Sequence, residues 1–141
     1  ISIAGMGGQT IAEILQAAPW TADGSHLLLL QPMTMVYELR QWLWAHGYAI
    51  EPETPCREDR RWYVVLSVRG GAPAREVPRA QCAFSSALLS APDAADYLRH
   101  LLTREKRALL GMEQASEADM VRLSGQRMLV RQIEQALEGM K

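Results

Sequence analysis

Apolar residues open the chain at 1–4, break at Gly5-Met6-Gly7-Gly8, and return with helical spacing as Ile11, Ile14, Leu15 and Ala18. The pattern predicts a short buried strand, a tight turn and an amphipathic helix. Pro19 and the Ala-Asp-Gly-Ser stretch at 22–25 end that helix. The run His26 to Leu30 then has the length and continuity of a strand covered on both faces. It stops at Gln31-Pro32. Val36, Leu39, Trp42, Leu43 and His46 mark a second helix, which Gly47 closes with a left-handed cap.

Beyond Gly47 the period changes. YAIEPET and RWYVVLSVR read as two β-rich segments separated by the polar PCREDR, with Trp62, Val64, Leu66 and Val68 alternating with Tyr63, Val65 and Ser67. Parallel strands need a crossover helix, whereas an antiparallel pair needs only a loop. The expected architecture is therefore α/β: a mostly parallel sheet with an antiparallel edge pair, half of a doubly wound sheet. GGAPAREVPRA at 70–80 reads as a linker. Ala94, Tyr97 or Leu98, Leu101, Leu102, Ala108 and Leu109 mark a helix ending near Gly111. Ser116 to Asp119 has the spacing of a capping box. Leu123, Val130, Ile133, Leu137 and Met140, interrupted by Gln126, form a coiled-coil seam, so an antiparallel helical hairpin is expected. The divisions are 1–71, a linker over 72–92, and the hairpin over 93–141.

With 141 residues, 48% of them hydrophobic, the chain can bury a core, and its net charge of -1 gives no general attraction to polyanions. Any such partner must be held locally. Residues 57–79 carry six arginines (Arg57, Arg60, Arg61, Arg69, Arg75, Arg79) against three acids, an excess of three, whereas 93–141 balances eight basic against eight acidic residues. An RNA-facing stripe on the hairpin would have to come from placement, with Arg99, His100, Arg104, Lys106, Arg107, Arg122, Arg127 and Arg131 as candidates, against solvated helix faces with intrahelical ion pairs. Cys56 and Cys82 lack metal or redox spacing and read as reduced thiols. No apolar run reaches the roughly 20 residues of a membrane span, so a soluble cytoplasmic protein is expected. The chain starts without Met, directly in a strand, and reads as a piece of something longer.

The glycine turn admits three readings. A dinucleotide fingerprint needs G-x-G-x-x-G/A and an acid after the second strand. Gly5 and Gly7 fit, but Thr10 holds the third position, and Asp23 precedes a strand that ends in Gln31. A purely structural turn would use the glycines for positive φ and close helix–strand packing. The third reading comes from IAGMGG, LLLLQP, LRQWLWAHGY and WYVVLSVRGG in that order. Together they resemble the bacterial tRNA (adenine-22-N1) methyltransferase family, by motif over 1–71 and by architecture over 93–141.

The resemblance implies a partial Rossmann-like sheet followed by a C-terminal helical (coiled-coil) hairpin, with S-adenosyl-L-methionine as cofactor and tRNA as partner. The strands would be the family's fourth, fifth and closing antiparallel pair. Ala4, Gly5, Met6, Gly7 and Gly8 would wall the cofactor beside the transferring methyl group, with Gln31 and Pro32 behind them. Arg57, Arg60, Arg61, Arg104 and Arg107 would meet the RNA. The family's main cofactor half-site lies upstream of Ile1, so no catalytic base is assigned and the isolated chain is expected to be inactive. No metal is needed. An open edge on the first strand would invite self-association. The competing readings are an NAD(P)-binding module and a non-enzymatic interaction module built on the hairpin. Of the conspicuous aromatics, one of Trp42 and Trp44 should be core, His46 should be the polar end of its helix, and Trp62 and Tyr63 should face opposite sides of the sheet, packing more readily than stacking on a base.

Overall fold

The computed structural model spans residues 1–141 and describes all of them except 116 and 118. The order is β1 (Ser2–Met6), α1 (Gly8–Gln16), β2 (Leu27–Pro32), α2 (Val36–Ala45), β3 (Ala49–Glu58), β4 (Arg61–Arg69), α3 (Ala94–Glu113) and α4 (Met120–Glu138). Short 3-10 turns lie at Pro19–Asp23, Arg79–Gln81 and Ser86–Ser90. The sheet order is β1-β2-β4-β3. β1 and β2 run parallel, and β4 is antiparallel to both β2 and β3. This is the mixed sheet the crossover argument requires.

Only one face of the sheet is closed. Leu28, Leu30, Val64, Leu66, Val68 and Ile50 are buried in one cluster with Ile11 and Leu15 of α1, Leu39 and Leu43 of α2, and Leu98 and Leu101 of α3. Leu27 and Leu29, which point the other way, are 45% and 40% exposed. The expectation that 26–30 is covered on both faces is thus corrected. A continuous apolar run requires two apolar faces, but whether both are covered depends on what packs there.

β3 also runs further than its polar sequence suggests. It extends through Cys56↔Tyr63, Arg57↔Trp62 and Glu58↔Arg61, leaving only Asp59 and Arg60 to turn. Asp59 takes φ 56, a left-handed conformation that a short polar side chain tolerates. One extra residue of β3 between Ile50 and Glu53 shifts the register, and this brings Glu53 onto the closed face.

The stretch 72–92 connects the two expected parts, yet Cys82, Ala83 and Leu88 within it are buried in the common core. Its Gly and Pro content marks irregular hydrogen bonding, not exposure. Val77 O accepts from Gln41 Nε2 at 2.9 Å, and Cys82 O accepts from the Arg40 guanidinium at 2.9 Å.

α3 continues through Gly111 to Glu113, two residues beyond the expected stop. α4 begins at Met120 with Asp119 as its N-cap, accepting from the Val121 and Arg122 amides at 3.0 and 3.2 Å. The expected capping box places Asp119 inside the helix, and its Ser116 lies outside the described residues. The two helices are antiparallel: Lys106 pairs with Glu134, and Glu113, further along α3, pairs with Arg127, nearer the start of α4. Leu123, Val130 and Ile133 are buried as the seam predicts, and Leu129 joins them. Leu129 and Ile133 belong to the same cluster as the sheet, so the hairpin is docked on the domain.

Candidate functional site

The carboxyl ends of β1 and β2 meet at the glycine turn. Gly5 sits in a bulge, where the register slips between Ala4 and Met6, at φ +76 with nothing within 4 Å of an added Cβ. Ala4, Gly5 and Met6 are exposed, and Ala4 pairs with Gln31. The next two glycines have a different task. A Cβ on Gly7 would lie 2.8 Å from Thr34 Oγ1, and one on Gly8 would lie 2.4 Å from Met35 O. Gly8 N–H donates to Thr34 O at 2.7 Å, and Met33 N–H donates to Met6 O at 2.8 Å. The β1–α1 turn is therefore laced to the β2–α2 loop by main chain, and open backbone is left only at Gly5.

Asp23 settles the dinucleotide question. It lies before β2, at the end of the sheet away from the glycine turn, where its carboxylate accepts from Ser25 N and Ser25 Oγ at 2.8 and 2.6 Å. These hydrogen bonds hold its pKa below the usual value. No ribose at the glycine turn can reach it.

Beyond the loop at 33–36 opens a cleft of about 310 Å³ between that loop, the start of β4 and one side of α3. Arg57 lies over the Trp62 ring at 5.7 Å, and the His100 ring centroid is 6.4 Å from that of Trp62. Arg104 donates to the Tyr37 hydroxyl at 2.9 Å and pairs with Glu105 at 3.2 Å. Tyr37 in turn donates to Glu105 at 3.1 Å, and Glu105 accepts from Gln126 Nε2 at 2.8 Å. This network ties α2, α3 and α4 together at the cleft. Burial raises the Tyr37 hydroxyl well above its ordinary range, so it stays protonated and able to donate. Partial burial, with the charges of Arg104 and Arg57, lowers the His100 pKa.

The sequence-predicted site residues divide. Ala4, Gly5, Met6 and Gln31 share one rim, Pro32 is buried beside them, and Arg57 and Arg104 flank the adjacent cleft. Arg60 and Arg61 lie at the β3–β4 turn. Period two puts Arg61 with Tyr63 on the opposite face from Arg57 and Trp62. Arg107 is exposed on α3, one turn past Arg104. Trp44 is buried, while Trp42 is partly buried and stacks on His46 at 4.1 Å.

The sequence reading missed the Tyr37–Glu105–Gln126 network and the Arg40–Glu53 pair. Arg40 offered a signal: it falls on the Val36, Leu39, Leu43 stripe of α2, where a charge must be paired. Among the described residues no group of three or more His, Cys, Asp or Glu could hold a metal, and no helix is long and apolar enough to cross a membrane. Both cysteines are free; burial pushes the Cys82 thiol up to about 11.

Comparison with known proteins bears on this geometry. Residues 1–66 match the methyltransferase domain family. The tRNA (adenine(22)-N(1))-methyltransferase of Bacillus subtilis is 41% identical over 71 residues, half of this chain and 30% of that protein. Over its first half the chain is thus similar to a methyltransferase domain and to a tRNA (adenine(22)-N(1))-methyltransferase. A Streptococcus pneumoniae protein proposed as a tRNA (m1A22) methyltransferase superposes at TM-score 0.75 with 27% identity, covering 97% of this chain and 60% of that one. The same protein in complex with S-adenosyl-L-methionine superposes at 0.72 with 25% identity, covering 97% and 59%. The Bacillus subtilis m1A22 tRNA methyltransferase structure, 24% identical with TM-score 0.70 and coverage of 97% and 62%, shares the fold. The chain thus spans less than two thirds of these relatives. Its α/β fold, with strand pair, antiparallel closing pair and helical C-terminal portion, is shared with these solved structures.

Proposed function

We propose that this chain supplies one wall of the methyl-transfer site and the RNA-facing side of an S-adenosyl-L-methionine-dependent tRNA adenine-N1 methyltransferase. The bulged Gly5 carries the reading: it leaves main chain open at the carboxyl end of the sheet, where open α/β sheets take their ligands. The residues present fit one side of such a cofactor. Ala4, Gly5 and Met6 would bound it, with Gly7 and Gly8 fixing the turn and Gln31 and Pro32 behind. Neither the turn nor Gln31 offers a carboxylate for ribose hydroxyls, and Asp23 is occupied at the other end. When bound, the cofactor supplies an electrophilic methyl group on a sulfonium.

The chain's own residues would position and shield. The lone pair of adenine N1 needs little activation, but its Watson–Crick edge must be taken out of any pair, and the base gains positive charge on transfer. Main chain without a Cβ at Gly5 lets a planar base approach closely. The polar Gln31 beside Ala4 and the arginines Arg57, Arg60, Arg61, Arg104 and Arg107 would orient the RNA through its phosphates. In the cell such an enzyme works in the cytoplasm.

A chimera tests this, with the corresponding portion of the Bacillus relative replaced by this chain and unmodified tRNA as substrate. We expect methyl transfer to adenine N1, lost in Gly5→Val while tRNA binding persists. A folded chimera that binds tRNA and transfers nothing overturns the reading, as does full turnover by the 141-residue chain alone. β1 pairs only with β2 among the described residues, so its outer edge would also mediate association. A monomeric particle by light scattering counts against that.

A further inference from the structure

The cleft beside the glycine turn has features that a wall for one cofactor does not require. It is lined by Trp62, Tyr37 and His100, with two arginines balanced by two glutamates, and Arg57 stands beside it over the Trp62 ring. Arg79 is paired with Glu38 at 2.8 Å and Arg104 with Glu105 at 3.2 Å. Arg57 has no carboxylate partner among the described residues; its Nε donates to Asp59 O at 3.0 Å. Its guanidinium instead lies over Trp62, leaving one cation in surplus beside an aromatic face.

The floor is fixed on three sides. Trp62 is held against Tyr97 with ring centroids 5.6 Å apart. The loop at 33–36 is tied through Thr34 O to Gly8. Tyr37 and Arg104 are held by Glu105. A volume of about 310 Å³ lies at the lower end of ligand pockets, which run from about 300 to 1,000 Å³, and suits a single unstacked unit better than a duplex.

Resting on the reading above, we propose that this cleft is a subsite for one RNA nucleotide adjoining the methylated base, its base stacked on Trp62 and its phosphate held by Arg57 and Arg104. Proteins that bind single-stranded nucleic acid combine an aromatic face for the base with a cation for the phosphate in this manner. The contiguity of the cleft with the Gly5 rim through the loop at 33–36 makes the occupant a neighbour of the target and not a remote contact. His100 lines the cleft beside Trp62 and serves as a reporter: a phosphate arriving there would offset the charges of Arg104 and Arg57 and raise its pKa.

The test uses the full chain with a fluorescein-labelled single-stranded RNA decamer and a tRNA, followed by anisotropy. Trp62→Leu should weaken binding about tenfold, as loss of one base stack does. Arg57→Ser, an exposed change that leaves the core intact, should weaken it several-fold and reduce the salt slope by about 1. Trp20→Leu, at the far end of the sheet, should change nothing. By NMR the His100 ring should titrate at higher pH when the decamer is bound. Undiminished binding in both cleft variants, or equal loss in Trp20→Leu, overturns the subsite while leaving an RNA-binding chain. Failure of the unaltered chain to bind either RNA overturns the subsite, and a chimera that still methylates tRNA would then preserve the wider reading.

Discussion

The two faces of the sheet are made by the same strands, yet they obey different rules. On the closed face, Leu28, Leu30, Leu66 and Val68 are fully buried, and even a charge is admitted: Arg40 meets Glu53 at 2.6 Å with both side chains fully enclosed. On the open face, Leu27 and Leu29 alternate with those core residues and remain largely exposed. Alternation decides which side a residue takes, whereas the helices decide what that side costs. A charged group on the closed face must therefore meet its counter-charge. Burial alone opposes the charge on Arg40, but Glu53's charge and hydrogen bonds more than offset it and hold its pKa above the ordinary value.

The sharpest way to break the contrast is to leave that charge alone. Glu53→Ala should cost about 3–5 kcal/mol, because the Arg40 guanidinium would remain buried without its carboxylate, with the neutral Cys82 carbonyl and Tyr97 hydroxyl left beside it. Arg40→Met with Glu53→Leu should recover most of the loss, less about 1–2 kcal/mol for the carbonyl left unpaired. Urea unfolding of the single and double variants measures both. Equal losses in the two would show that volume, not unpaired charge, governs the site.

Neighbouring leucines give the next largest difference. Leu30→Ala should cost about 3 kcal/mol and Leu29→Ala less than about 1 kcal/mol, since Leu30 is 0% exposed and Leu29 is 40% exposed. Similar losses would mean that the open face is covered in solution. The glycine turn repeats the contrast on a smaller scale. Gly8→Ala forces a Cβ against Met35 O and should cost about 2–3 kcal/mol. Gly5→Ala meets nothing and should cost about 1 kcal/mol for its left-handed φ. Denaturant midpoints of the two variants rank them.

This contrast also explains what could be read from the sequence. Strand and helix periods place Leu28 and Leu30 together, put Gly47 at φ +80 as a helix cap, and send Trp62 and Tyr63 to opposite faces. They are local, and local patterns survive folding. The exposure of Leu27 and Leu29 depends on which elements cover the sheet, which no period encodes. Glu53 was hidden because one inserted residue after Ile50 changes the phase of β3. At the site, the glycines and Gln31 were legible as a turn followed by a strand end. The cleft was not, since it joins the loop at 33–36, the start of β4 and α3, which are far apart in the chain. Arg57 and Arg61 looked like one basic patch and are divided by the pleat.

The smallest expected effect lies at the rim, where the closed face meets water. His100 is exposed, but partial burial and the charges of Arg104 and Arg57 lower its pKa from the ordinary 6.5. In the unfolded chain the ring protonates near 6.5, before it does so in the folded one, so the unfolded state binds the extra proton as pH falls. Stability from this group is therefore unchanged above pH 6.5 and is lost progressively below it, down through the lowered folded pKa. His100→Gln removes that proton uptake. The unaltered chain should lose ground against the variant between pH 7.5 and pH 5 in paired urea titrations, and the effect should shrink in Arg57→Ser. A difference that stays constant with pH would mean that the two arginines do not reach the ring, and that the rim is as well solvated as the open face.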